Sequence, residues 1–365
     1  MSLRAYFRTI RKGRLAAAGA VAVAIVLLIV LLVVNTSSPP KKNPHTGGGG
    51  PRVTQPHLAT DHCPLTDLPA PGGVVPDREP VAVKIGNEPD GARPQSGLNE
   101  ADVVFDTPAE GGIMRYIAIF QCQNVTNIGP IRSVRWVDWH ILQMFPHVVL
   151  AFVGGVTPNQ QTVQSLSFID DANEFLHYTA YHDDPQRVAP DATYSTTEAL
   201  WALFPKQSAP PPIFRYTGSL PKGAHPASSV AINFSYYTDV VWKWDASTGQ
   251  WIHTYSGQTD IDALTGKPVT TTNIIVEVVH YTYGPYVEST GGSGDVESQT
   301  VGRGRGFIFR NGEYIPVIWH RPSLNSPTTY VSNTGQPVGL QPGRTWVELL
   351  LDTTYKEAGA FKVTP

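Results

Sequence analysis

From Leu15 to Val34 the chain runs for twenty residues without a charge, all of them apolar or small. At about 1.5 Å of rise per residue, a helix of this length spans roughly 30 Å, the hydrocarbon core of a bilayer. The leader, residues 1–14, carries Arg4, Arg8, Arg11, Lys12 and Arg14 and no acid, so it is expected to stay cytoplasmic with everything after Val34 on the far side. Residues 15–34 are therefore read as a single-pass transmembrane helix. A cleavable signal peptide has a shorter apolar region and a small-residue cleavage site, whereas this run closes on Val33-Val34-Asn35-Thr36-Ser37-Ser38 without an Ala-x-Ala pattern. A lipoprotein signal needs a Cys directly after the run, and the first Cys is Cys63. A buried soluble helix would show polar groups within it.

Beyond the run, charge limits the partners. The formal net charge is −3, but the leader holds five of the 27 basic residues and none of the 30 acids, which leaves −8 outside. Nucleic acid and anionic lipid are bound through clustered Lys and Arg, so neither is expected as a partner. The only two cysteines, Cys63 and Cys122, both fall on the expected outer side. In an oxidising compartment such a pair more often bridges than stays free. Two buried thiols are the competing reading.

Residues 35–62 are rich in Pro, Gly, Ser, Thr and Asn, with Gly47 to Gly50 in a row. They read as a disordered tether reaching roughly 30 Å on average. Residues 63–206 mix strand and helix signals. Val81 to Ile85 alternates like a half-buried strand, while Val103 to Phe105, Tyr116 to Phe120 and Val148 to Val153 are apolar runs typical of buried strands. Helices are expected at Val137 to Met144, Pro158 to Leu166 and Thr196 to Phe204, the last opened by a Ser195/Glu198 capping box.

A Pro-rich stretch, Gln207 to Pro212 followed by Gly218 to Pro226, precedes a β-rich region over residues 227–365. Strands are expected at Val230 to Phe234, Val240 to Trp244, Trp251 to Tyr255, Ile274 to Tyr283, Gly306 to Arg310, Tyr314 to Trp319 and Trp346 to Leu350. Asn311-Gly312 signals a type I′ hairpin, because both residues tolerate positive φ. The fold class is α+β: a mixed α/β N-terminal domain, then a β-rich C-terminal domain as a sheet or small barrel.

The densest polar constellation runs from Arg93 to His140. Its most distinctive piece is Gly129-Pro130-Ile131-Arg132-Ser133-Val134-Arg135. If Arg132 and Arg135 open the following helix, both can lie beside its N-terminal amides and hold a phosphate, pyrophosphate or carboxylate. Glu110, Arg115 and Asp138 complete this candidate binding site. In the competing reading these Arg pair with Glu110, Asp106 or Asp138 as internal struts.

The stretches Pro80 to Asn87, Ala92 to Val104 and Glu110 to Tyr116, with Gly129 to Arg135, resemble the YerB-like lipoproteins of the DUF3048 family. Pro64 to Pro69, Tyr194 to Leu200 and Pro342 to Val347 extend the resemblance over nearly everything beyond the tether. It implies a bacterial, membrane-tethered, extracytoplasmic protein of two domains, without an established activity. Two departures stand out. Members are commonly lipid-anchored, and the segment before Tyr194 often reads Pro-His-Asn where this chain has Pro190-Asp191-Ala192-Thr193. No role for that His carries over to this chain.

Other candidates are weaker. Asp170, Asp171, Glu174, His177, His182, Asp183 and Asp184 match no metal-ligand spacing and read as a solvated loop. Gly302-Arg303-Gly304-Arg305-Gly306 lacks the Lys and Ser/Thr of a phosphate loop and reads as a flexible turn. Trp242, Trp244 and Trp251 could stack on sugar rings, though alternating strand aromatics usually serve as core. No Gly-x-Ser-x-Gly elbow or His-Glu-x-x-His pair occurs, and no motif calls for a cofactor or metal. The favoured expectation is a membrane-anchored extracytoplasmic module that binds or scaffolds cell-envelope proteins or cell-wall polymer. The alternative is an envelope enzyme acting on a phosphorylated or pyrophosphate-linked glycan, and the choice between them stays open.

Overall fold

The computed structural model describes residues 61–365 apart from 89–90, 206–207, 221–222, 236–237, 288–293 and 353–359. The leader 1–14, the apolar run 15–34 and the tether up to residue 60 lie outside the described residues. Among the described residues, no helix is long and apolar enough to cross a membrane.

The first region supplies strands β1 (Val81–Ile85), β2 (Val103–Pro108), β3 (Met114–Phe120), β4 (Val148–Phe152) and β5 (Ile169–Asn173). Its helices are α1 (Trp136–Leu142), α2 (Thr157–Ser165) and α3 (Thr197–Ala202). The second supplies β6 (Ser229–Ser235), β7 (Thr238–Asp245), β8 (Gln250–Tyr255), β9 (Asn273–Val279), β10 (Tyr281–Val287) and β11 (Gly294–Ser298). It continues with β12 (Gly302–Arg310), β13 (Glu313–Arg321), β14 (Thr329–Ser332), β15 (Thr345–Leu351) and β16 (Ala360–Thr364). A mixed α/β region thus precedes a β-rich one.

The two regions share one sheet. Its eleven strands run β14-β13-β12-β9-β15-β2-β3-β1-β4-β5, with His225–Pro226 as a short addition against β13. Strand β15, from the far end of the chain, lies between β9 and β2 and is parallel to both. Strands buried on both faces lose the in-out alternation and read as continuous apolar runs. That holds for β15, and also for β1, whose five residues are all buried, Lys84 included. The half-buried reading of Val81 to Ile85 is corrected accordingly.

Each face of this sheet has its own cover. On one side Val137, Trp139, Ile141 and Leu142 of α1 and Val163 of α2 pack on Ala82, Phe105, Ile117, Leu150 and Val347. On the other side lie α3 and an antiparallel sheet ordered β8-β7-β6-β16. Trp346 of β15 is the centre of that second layer: its ring meets Tyr116 and Trp242, each with centroids 5.1 Å away, and stacks on His253 at 5.4 Å. Such pairs add roughly 0.5–1.5 kcal/mol each beyond buried area. Trp242 and Trp251 are wholly buried and Trp244 partly so, which assigns this trio to packing.

Asn311 (φ 54°) and Gly312 (φ 70°) form the expected tight turn between β12 and β13. The run Ile274 to Tyr283 divides at His280 into β9 and β10. Residue Thr196, not Ser195, caps α3, accepting from the Ala199 amide at 3.0 Å, while the Ser195 hydroxyl donates to Ala180. Gly302 to Gly306 is strand rather than turn. Glycine is needed at 304 because the Trp319 indole lies where a Cβ would come within 2.5 Å. The Pro-rich connector is partly core, since Ile213, Phe214 and Tyr216 are buried and Tyr216 donates to the Leu65 carbonyl.

Cys63 and Cys122 form a disulfide with Cα atoms 6.0 Å apart, closing a separation of 59 residues. The chain-entropy model assigns a loop of that size about 4 kcal/mol. Cys63→Ser with Cys122→Ser should lower the unfolding free energy by about that amount in a urea titration, and reduction of the native chain should do the same. An unchanged midpoint would show that the bridge constrains nothing.

Candidate functional site

The predicted site residues come together at the carboxyl ends of β1 and β4, where crevices in α/β sheets commonly hold ligands. The segment 131–134 crosses those ends. Arg132 donates its amide to the Lys84 carbonyl, Val153 donates to the Arg132 carbonyl, and Val134 donates to Gly154. This bridging backbone sets the arginine side chains beside the chain leaving β1.

There each arginine meets a carboxylate. Arg132 bridges Glu88 at 2.9 Å and Asp191 at 3.0 Å. Arg115, on β3, donates to the same Glu88 oxygen from Nε at 3.2 Å and from Nη2 at 2.8 Å. Arg135 pairs with Glu110 at 2.7 Å. Asp138 accepts the Arg135 amide at 2.7 Å and the Lys84 ammonium at 2.6 Å, and Lys84 also donates to the Thr107 hydroxyl at 2.9 Å. Arg115, Arg132 and Arg135 are 4–13% exposed at the side chain, while Lys84 and Asp138 are wholly buried.

The expected helix-start geometry is different from the one found. Helix α1 begins at Trp136 with Arg135 as its N-cap, so Arg132 is not on the helix. Helix α1 is only seven residues long, and its first turn is occupied by Asp138 of the chain itself. Of the strut partners foreseen, Glu110 takes Arg135, whereas Arg132 is held by Glu88 and Asp191. Lys84, Glu88 and Asp191 were missed. A lysine inside an apolar strand run was the available signal for the first, because a buried ammonium needs a carboxylate.

Electrostatics follow from burial and pairing. Burial opposes the Glu88 carboxylate, yet Arg115 and Arg132 together hold it below its ordinary range. Burial pushes the Lys84 ammonium down, against the pull of Asp138. Burial also raises Asp191, with Arg132 opposing it. Four cations face four carboxylates in this cluster, so it is close to neutral.

A second polar cluster sits between the two sheets. Arg93 stacks on Tyr255, 3.6 Å from the ring centroid, and its guanidinium donates to Asp260, Asn87 and the Tyr116 hydroxyl. His253 Nδ1 lies 3.0 Å from Asp260. Nearby, Asp106 of β2 and Glu348 of β15 stand opposite in register. Glu348 accepts from the Trp242 indole at 2.7 Å, while neither Asp106 oxygen receives an N–H or hydroxyl among the described residues. Two carboxylates in one dry site cannot both ionise cheaply, so burial and the neighbouring acid push Asp106 well up, and burial pushes Glu348 up to about 7. Both shifts favour keeping a proton on the pair.

The acidic stretch 170–184 is divided between edge strand β5 and the segments after it. No group of three or more His, Cys, Asp or Glu among the described residues is arranged to hold a metal ion.

Two family models match this chain, described as "Protein of unknown function (DUF3048)": the N-terminal domain over residues 65–210 and the C-terminal domain over 230–347. The chain belongs to the DUF3048 family. It is 28% identical over 304 residues to the "Putative lipoprotein YerB" of Bacillus subtilis (strain 168), covering 79% of this chain and 86% of the relative. A crystal structure of the YerB protein from Bacillus subtilis superposes with a TM-score of 0.68 at 23% identity, covering 82% of this chain and 99% of that one. The DUF3048 C-terminal match ends within β15, the strand that completes the sheet of the N-terminal half.

Two measurements test these clusters. Lys84→Met strands the Asp138 carboxylate in the core and should cost about 3–5 kcal/mol in urea unfolding, while Lys84→Met with Asp138→Leu should recover much of that loss. Burial raises the Glu348 carboxyl from its ordinary 4.5 to about 7 in the fold. The stability this difference contributes is fully present below the unfolded value and is lost as pH rises through the folded one. Thermal unfolding between pH 5 and pH 8 should therefore show the native chain losing stability relative to Glu348→Gln; parallel curves would refute a buried shared proton.

Proposed function

We propose that this chain is a membrane-tethered, extracytoplasmic module that binds or scaffolds cell-envelope proteins or cell-wall polymer. The observation that supports it most is the closed charge pattern at the ends of β1 and β4. Arg115, Arg132 and Arg135 are each taken by Glu88, Asp191 or Glu110. A pyrophosphate would have to displace those acids, and breaking half-buried pairs leaves a carboxylate uncompensated. Such a cluster braces a crevice wall; it does not leave a cation free for phosphoryl chemistry.

Location rests on two supports. The Cys63–Cys122 bridge fits an oxidising compartment, and the Bacillus relative is named as a lipoprotein. In this reading residues 15–34 take the place of the lipid as anchor and the residues from 35 onward give the folded part reach from the membrane, whereas Asp61 and His62, at the end of the expected tether, belong to the fold through the His62–Pro69 bridge. The outer surface then faces wall material directly.

In-cell crosslinking of the tagged full chain, with co-sedimentation of the detergent-solubilised chain on purified wall, tests the reading. Recovery of a reproducible envelope protein or saturable wall binding is expected. If neither is found, and the chain instead turns over a pyrophosphate-linked glycan carrier, the reading fails.

A further inference from the structure

Two exposed arginines without a carboxylate partner among the described residues lie elsewhere, in the Gly-Arg-Gly-Arg-Gly stretch. Strands β9 and β12 pair only as far as Glu277 opposite Gly306, yet β12 runs on to Gly302 against β13. A cleft of about 390 Å³ opens where the two strands part. Arg303 and Arg305 form one wall, Val278 and His280 the other, and Trp319 lies between, its indole donating to the Val278 carbonyl at 3.1 Å.

Both arginines are exposed, and among the described residues no carboxylate pairs with either. Residues two apart on a strand share a side and stand about 6.8 Å apart, a spacing that suits successive anionic groups along a chain. The acid on the rim is Asp352, 3.4 Å from His280. Across Gln299 and Val301 a second cleft of about 330 Å³ continues the groove past His140 and Glu297, themselves 3.1 Å apart. An elongated groove whose exposed arginine pair meets no carboxylate among the described residues suits a linear polyanion better than a single small ion.

We propose that this double cleft binds an anionic cell-wall polymer through its phosphodiester groups, with Arg303 and Arg305 as the cationic contacts. The proposal rests on the binding-module reading and gives it a site and a ligand class. The arginines would exchange water for phosphate oxygens, and affinity would fall with salt.

The test uses the full chain in zwitterionic nanodiscs, titrated with glycerol-phosphate oligomers, with inorganic phosphate and with phosphatidylglycerol vesicles. Saturable oligomer binding is expected, weakened at least tenfold in Arg303→Ala with Arg305→Ala and unchanged in Arg215→Ala, a substitution of another exposed arginine. Matching melting temperatures would show that the variants fold. Equal oligomer affinity in the double variant, equal loss in Arg215→Ala, inorganic phosphate binding as tightly, or binding to vesicles alone would each overturn the proposal. Purified wall separates the two levels: if native and double-variant chains sediment equally, only this site is wrong. If the native chain fails to sediment and recovers no envelope partner, the wider reading falls.

Discussion

Strand β15 is the element on which the rest depends. It enters between β9 and β2, pairs in parallel with both, and so joins strands from residues 103–108 to strands from 273–279. Without it the β-rich half would end at β9 and the first half at β2, each exposing a long, apolar, unpaired edge. Loop-closure entropy grows only slowly with length, which makes pairing across more than two hundred residues affordable once both faces of β15 are buried. Trp346 and Val347 fill those two faces, one against Tyr116 and Trp242, the other against the helical layer.

That seam also carries a buried pair of acids. Asp106 and Glu348 face each other across the β2–β15 pairing, wholly buried. A carboxyl pair is tolerable there only with a proton between the two acids and the Trp242 indole on one of them. The union of the two halves is therefore tied to protonation as well as to apolar packing.

Arginine serves two purposes in this fold, and burial separates them. Arg93, Arg115, Arg132 and Arg135 sit where water is mostly excluded, and each meets a carboxylate, Arg115 and Arg132 sharing Glu88; the last three hold the chain segments at the ends of β1 and β4, and Arg93 ties the two sheets through Asp260. Arg303 and Arg305 lie on a strand that has lost its neighbour, in water, where a charge needs no internal partner. Counting basic residues along the sequence cannot distinguish these cases, because the deciding acids, Glu88 and Asp191, are 44 and 59 positions from Arg132.

The sequence by itself determined most strands and the Asn311-Gly312 turn, because period, β-branching and positive φ are local properties. It also carried the family resemblance and the disulfide expectation. Only the tertiary structure decided that β15 belongs to both halves, that Lys84 is buried on Asp138, and that Gly304 makes room for Trp319 within a strand rather than a turn. Each of these is a contact between residues far apart in the chain, and its free energy comes from what is excluded from water after folding, which no local window contains.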